Sequence, residues 1–253
     1  MKPVSIWSYI WVGTCVRFLQ DVREGLSIHK PGFVMDNIKY FFDNLDSLGL
    51  HVTKRASNEL EEMRTTFKAL PPDAKLTKEQ ATNLSNIMNK IRNTFTAESS
   101  GIYAYIVTEK KFDVKKLLEA VDKLFTPDVF ANCPDIACYD FREAGRCIAF
   151  GLPTASAFHI LRGTEAVLRQ YYKRFIRPAK VDLTWGQILS ELKSKKSGKK
   201  PDSVLLNNLQ NIKDSFRNPT QHPDKIYDIH EVQDLFSLCI DVVNRMVAVI
   251  AKK

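Results

Sequence analysis

Six residues near the C-terminal end of the 253-residue chain, Arg217-Asn218-Pro219-Thr220-Gln221-His222, stand between two strongly helical stretches. An arginine and a histidine with four residues between them, on a turn, can be aimed at one small volume as a fixed cation beside a titratable ring. Cleaving RNA without a metal requires a base for the 2′-hydroxyl, an acid for the leaving 5′-oxygen and positive donors on the phosphorane-like oxygens. His222 suits acid or base, because an imidazole changes charge near neutrality. Arg217 keeps its proton, so its role would be a planar, forked clamp on the phosphate. Asn218 could orient a phosphate oxygen or the ring. The same residues have a plain structural alternative: an arginine closing a helix interacts with the helix dipole, and a histidine before Pro223 can bond a loop carbonyl and nothing else.

Two helices must hold this turn. Leu205, Leu209, Ile212 and Phe216 recur at offsets of four, three and four, predicting a helix over Ser203 to Phe216 that delivers Arg217. Asp228 and Glu231 have capping-box spacing at the start of a last helix, with Val232, Leu235, Phe236, Cys239, Val243, Met246 and Ile250 on one stripe. Upstream, Arg142 to Phe150 predicts a short helix and Thr154 to about Ile176 a long one, with Phe158, Leu161, Val167 or Leu168, Tyr171 and Phe175 inward. Thr184 and Gln187 open another helix that runs to about Leu192. The predicted fold is mainly α: a helical bundle over 138–253, preceded by a mostly helical region, 1–130.

In that first region, residues 1–30 are rich in Ile, Trp, Tyr and Val and fit either a strand or a buried helix. Helices are predicted from Val34 to Leu48, from about Ala56 to Leu70, and from Thr77 through Phe95, where Thr77 and Gln80 have capping-box spacing. Gly101 to Val107 has the aromatic and β-branched composition of a strand, so one or two short strands are expected there, followed by a helix around Val114 to Phe125. Pro127, Pro134 and the non-periodic residues between them mark the expected domain junction.

Charge favours an anionic partner: the net formal charge is +8 and the isoelectric point about 9.2. Residues 141–200 hold 13 Lys/Arg against 4 Asp/Glu, a net of +9, so the rest of the chain is close to neutral. Arg169, Lys173, Arg174, Arg177 and Lys180, with Lys193, Lys195, Lys196, Lys199 and Lys200, would suit a phosphate-backbone track, with Tyr171, Tyr172 and Phe175 as stacking surfaces. The alternative is a solvated helix face over aromatic core. Five dispersed cysteines, an odd number, fit a reducing compartment. The apolar run from Val4 to Val16 is cut by Arg17 and no small-residue cleavage site follows, so the cytoplasm is expected and no membrane span. Cys133, Cys138, Cys147 and His159 lack metal-ligand spacing, and no phosphate-binding glycine loop, dinucleotide fingerprint or serine elbow is present. No metal or cofactor is expected.

The stretch from Phe141 through Arg169, which includes Gly145, Gly151-Leu152-Pro153, His159, Arg162, Gly163 and Glu165, together with the Arg217–His222 turn and the closing helix, resembles the HEPN superfamily, the "higher eukaryotes and prokaryotes nucleotide-binding" helical domain. The likeness covers about residues 140–250. Arg217, Asn218 and His222 match the superfamily's arginine, following polar residue and histidine before the last core helix. The resemblance implies a bundle of four or five helices, a two-fold homodimer and, in active members, a metal-independent endoribonuclease whose site both copies share. A dimer would supply the second proton-transfer group that one Arg217–His222 pair lacks. It also implies a toxin or anti-phage defence role with an antitoxin or regulatory partner; the alternative is a non-catalytic nucleotide- or RNA-binding or assembly module. Related domains place an accessory polar residue on the long helix, where Arg162 and Glu165 stand. Arg162, Glu165, Arg169, Lys173, Arg174, Lys195 and Lys196 are the candidate RNA contacts. Toxins controlled by adenylylation carry a tyrosine two positions after the histidine; here that position is Asp224, with Tyr227 three further on, so that control is not expected.

Overall fold

The computed structural model describes residues 5–103, 105–196, 198 and 200–251. The chain divides into two compact units, Met1–Tyr105 and Ile106–Lys253, each with its own core. All regular structure among the described residues is helical.

In the first unit, α1 (Ile6–Gln20), α2 (Val34–Leu45), α3 (His51–Arg55), α4 (Asn58–Lys68) and α5 (Lys78–Ser99) surround a core that includes Leu19, Phe41, Leu60 and Met88. The opening stretch resolves as a helix because Val12, Cys15, Val16 and Leu19 form a buried stripe at helical spacing. Thr77 and Gln80 make both halves of the expected capping box on α5. At the far end of α5, the Glu98 carboxylate accepts the N–H groups of Val52 and Thr53 (2.9 and 2.7 Å), supplying the first turn of α3 with acceptors that His51–Arg55 lacks.

The strands expected at Gly101–Val107 do not form: no strand occurs among the described residues, and Ala104 lies outside them. An aromatic, β-branched segment becomes a strand only where a neighbour takes its N–H and C=O groups. Here Tyr103, Tyr105 and Ile106 are more than four-fifths exposed and no ladder flanks them. The division of the chain falls in this segment, upstream of the 127–134 junction expected from the prolines. Apolar packing explains the difference, because Leu117, Val121, Phe125 and Val129 are buried in the second core.

The second unit contains α6 (Val114–Glu119), α7 (Asp135–Ala149), α8 (Pro153–Phe175), α9 (Trp185–Ser194), α10 (Ser203–Ile212), α11 (Asn218–Thr220) and α12 (Ile229–Ile250). α7 and α8 form an antiparallel-type hairpin through Gly151, whose φ of +71° suits glycine. α12 packs along α8, with α9 and α10 closing the bundle. Its centre is aromatic: the Phe141 ring lies 5.0 Å from Phe125 and 6.5 Å from Phe236. α7 starts seven residues before the predicted Arg142, on turns whose Ile136 and Tyr139 are half-exposed.

Two glycines set how closely these helices approach. A Cβ at Gly145 would stand 2.6 Å from both the Leu117 carbonyl oxygen and Val121 Cγ2, so α6 presses on α7 there. A Cβ at Gly163 would be 3.0 Å from the Phe141 ring and 3.2 Å from Asp140 Cβ, so α8 runs close over α7 at the residue that carries Asp140. Among the described residues, no helix is long and apolar enough to cross a membrane.

Candidate functional site

Asp202 caps α10 by accepting the Val204 N–H (2.9 Å). The helix does not end at Arg217. Lys213–Arg217 form a π-helical turn that leads into α11, so Arg217 to Thr220 are helical and the open loop begins at Gln221. This corrects the expectation of a six-residue turn. Pro219 gives a physical reason: it donates no N–H, and a wider turn just upstream lets its ring clear the carbonyl four residues back.

The loop is closed at its base by hydroxyls. Thr220 Oγ1 donates to the Phe216 carbonyl (2.6 Å), and the Tyr227 hydroxyl lies 2.7 Å from Thr220 Oγ1 and 3.2 Å from the same carbonyl. The Tyr227 N–H donates to Thr154 Oγ1 at the start of α8 (3.2 Å). Burial pushes the Tyr227 phenol up from its ordinary range, and its side chain is committed to the fold. Glu231 does not complete the expected capping box; its carboxylate takes Lys225 Nζ instead.

Asp228 does cap α12. The backbone N–H groups of Glu231 (2.8 Å) and His230 (2.7 Å) hold its carboxyl below the usual carboxylate range. A folded pKa below the unfolded one gives stability that is present above the unfolded pKa and is lost as pH falls through the folded one. Asp228→Asn is therefore expected to lower Tm at neutral pH and to converge with the parent as the pH drops through the carboxylate range. Melting curves across pH test this; a constant gap would show that the charge is immaterial to the cap.

The second part of the site is built on α7 and α8. Asp140 is fully buried on α7 and accepts two bonds from the Arg162 guanidinium, Nε to Oδ2 (2.7 Å) and Nη2 to Oδ1 (2.6 Å). His159 Nδ1 lies 2.8 Å from Asp140 Oδ1. A buried carboxylate requires this degree of pairing, and the close passage of α8 at Gly163 makes it possible. The bond to Asp140 also raises the Arg162 pKa above its ordinary value. One turn further along α8, Glu165 takes Arg169 Nη2 at 2.7 Å and faces Arg217 Nη2 at 3.7 Å.

His159, Arg162, Glu165, Arg169 and Arg217 line one cleft of about 470 Å³ together with Phe158, Thr220 and Gln221, while Asp140 stays buried behind its partners. Three guanidinium groups face two carboxylates, leaving an excess positive charge for an anion. The arginine forks match phosphate oxygens, although an incoming phosphate must draw Arg169 and Arg217 away from Glu165.

The structure thus brings Arg217 together with Arg162, Glu165 and Arg169. Asn218 and His222 are not among the cleft's lining residues. His222 is exposed, and its N–H donates to the Pro219 carbonyl (2.9 Å). Lys173, Arg174, Lys195 and Lys196 lie outside the cleft; Lys195 Nζ donates to the Phe175 carbonyl (2.8 Å) and closes the end of α8. Lys199 lies outside the described residues. Tyr171, Tyr172 and Phe175 are core, and they leave no stacking platform among the lysines. Phe158, expected inward, is half exposed and lines the cleft, because Ala157, Ile160 and Leu161 take the buried positions around it.

His159 lines the cleft although the sequence reading weighed it only as a metal ligand. A helical signal for it exists: His159, Arg162, Ala166 and Arg169 recur at three- and four-residue steps and so share one face of α8. Burial pushes the thiols of Cys133 and Cys239 up to about 12 and that of Cys15 up to about 11, which leaves them without thiolate character. Among the described residues, no group of three or more His, Cys, Asp and Glu side chains is placed to hold a metal ion. Compared with family models, curated proteins and solved structures, the chain finds no match in any of the three.

Proposed function

We propose that this chain is a metal-independent endoribonuclease of the HEPN kind. The observation that carries the reading is the cleft in which Arg217 joins Arg162 and Arg169 around a single small volume. Arginine forks directed at one volume suit the two non-bridging oxygens and the leaving 5′-oxygen, which gain charge as a phosphodiester is attacked. Arg217 would clamp the phosphate, His222 would exchange a proton on the flanking loop, and Asn218 would orient the ring. Attack by the 2′-hydroxyl would release a 5′-hydroxyl and leave a 2′,3′-cyclic phosphate, restricting the substrate to RNA. In this reading the protein works as a homodimer in the cytoplasm, as a toxin or anti-phage effector with a regulatory partner protein.

A second reading is favoured by the position of His222, which does not line the cleft. A cleft with arginines and no engaged histidine would bind RNA or a nucleotide, or assemble with a partner, without cutting. One experiment separates the two. The purified chain is incubated in excess chelator with end-labelled RNA and with DNA of the same sequence. Cleavage of RNA alone, with cyclic phosphate ends, is the expected result. Binding without cleavage at every protein concentration would leave the second reading, and equal cutting of DNA would overturn both.

A further inference from the structure

The cleft contains an imidazole that the Arg217–His222 pair does not account for. His159 projects from α8 with its Nδ1 edge held 2.8 Å from the buried Asp140 carboxylate. Asp140 is itself fixed by two bonds from Arg162, so it cannot swing to another partner. A carboxylate at Nδ1 takes that nitrogen's proton as a hydrogen bond and leaves Nε2 with the lone pair. Among the described residues Nε2 has no protein hydrogen-bond partner, and the ring is about a quarter exposed on the cleft wall. Arg162 already supplies Asp140 with two donors, and His159 adds a third contact to the same carboxylate while lining the cleft.

We propose that His159 is the general base of the cleft, positioned by Asp140, so that each chain carries two proton-transfer groups for RNA cleavage, His159 in the cleft and His222 on the loop that follows α11. This rests on the RNA-cleaving reading above. In the step, Nε2 of His159 takes the proton of the 2′-hydroxyl while the 2′-oxygen bonds to phosphorus. The bond from phosphorus to the 5′-oxygen breaks, and that oxygen takes a proton from the His222 imidazolium. The products are a 2′,3′-cyclic phosphate and a 5′-hydroxyl; water later returns the proton between the two rings. Asp140 and Tyr139 from α7 touch the His159 ring, Arg162 from α8 shares its Asp140 oxygen, and Glu165 from α8 and Arg217 from the π-helical turn line the same cleft.

His159→Asn separates catalysis from structure. The asparagine amide nitrogen can take the place of Nδ1 toward Asp140, while nothing takes the place of Nε2. The variant is expected to fold, to bind a non-cleavable 2′-O-methyl RNA as the parent does, and to cleave RNA about 10²–10⁴-fold more slowly, with the acid limb of the pH–rate profile altered. RNA with a 5′-bridging sulfur, which leaves without protonation, should restore His222→Ala and leave His159→Asn slow. Free imidazole should restore part of the rate to His159→Ala, so the test survives a poorly folded asparagine variant. Parent-like rates in His159→Asn, or its rescue by the sulfur substrate, would overturn the assignment while cleavage by the parent left the ribonuclease reading standing. No cleavage by the parent would overturn both.

Discussion

Arg217→Ala is expected to slow RNA cleavage by about 10²–10³-fold, the effect of removing one donor from a developing oxyanion. The fold should survive the change. Arg217 is partly exposed and its ion pair with Glu165 spans 3.7 Å; such a pair contributes about 0–1 kcal/mol. Arg217→Lys should fall between parent and alanine, because it keeps the charge and loses the fork. Single-turnover rates in chelator, with circular dichroism as the control for folding, make the measurement. A drop in kcat with little change in KM identifies an interaction made in the transition state. Parent-like cleavage by the alanine variant would mean that Arg217 only tethers Glu165 and that the catalytic reading of the turn is mistaken.

Phe141→Ala carries the largest expected loss of stability, about 3–5 kcal/mol for emptying a fully buried aromatic site. Its ring contacts Phe125, Phe130 and Phe236, so the cavity opens where α7, α12 and the segment before α7 meet. Relaxation is restricted on the α8 side, where Gly163 already lies against that ring. The second unit contains one tryptophan, Trp185, while Trp7 and Trp11 lie in the first. With those two replaced by Phe, urea titration followed by Trp185 fluorescence reports this unit alone. The midpoint should fall at an unchanged slope. A loss below about 1 kcal/mol would show that the site collapses freely and that the aromatic centre does not hold α7 in place.

The helices of the second unit were legible because their apolar residues recur at three and four and their caps are explicit, as at Thr184 with Gln187. What escaped has physical reasons. The first turns of α7 carry Ile136 and Tyr139 toward solvent, so no buried stripe announces them. The π-helical turn is silent because Leu209, Ile212 and Phe216 have the same spacing whether the following turn is α or π. A strand at 101–107 is written in composition, but strands depend on neighbours that composition does not supply. In the site, Arg162, Glu165, Arg169 and Arg217 were legible as charges. Their meeting with His159 was not, because Asp140 stands nineteen residues before His159 and reaches it only through the α7–α8 hairpin.

The glycine contacts have a consequence for inheritance. At Gly145 a neighbouring carbonyl leaves no room for any side chain, and Gly163 admits almost none. Neither glycine lines the cleft, yet Gly163 lies against Asp140 and Gly145 seats α7 on α6, so both constrain the helix that carries Asp140 and with it how His159 and Arg162 are held. Natural drift can replace the surface lysines freely and can exchange core residues of similar volume, but these positions can change only together with the helices around them. A descendant that keeps this cleft should keep Asp140, Gly145, His159, Arg162 and Gly163 at their present intervals, a pattern of two small residues and three polar ones by which distant kin could be recognised after the rest of the sequence has diverged.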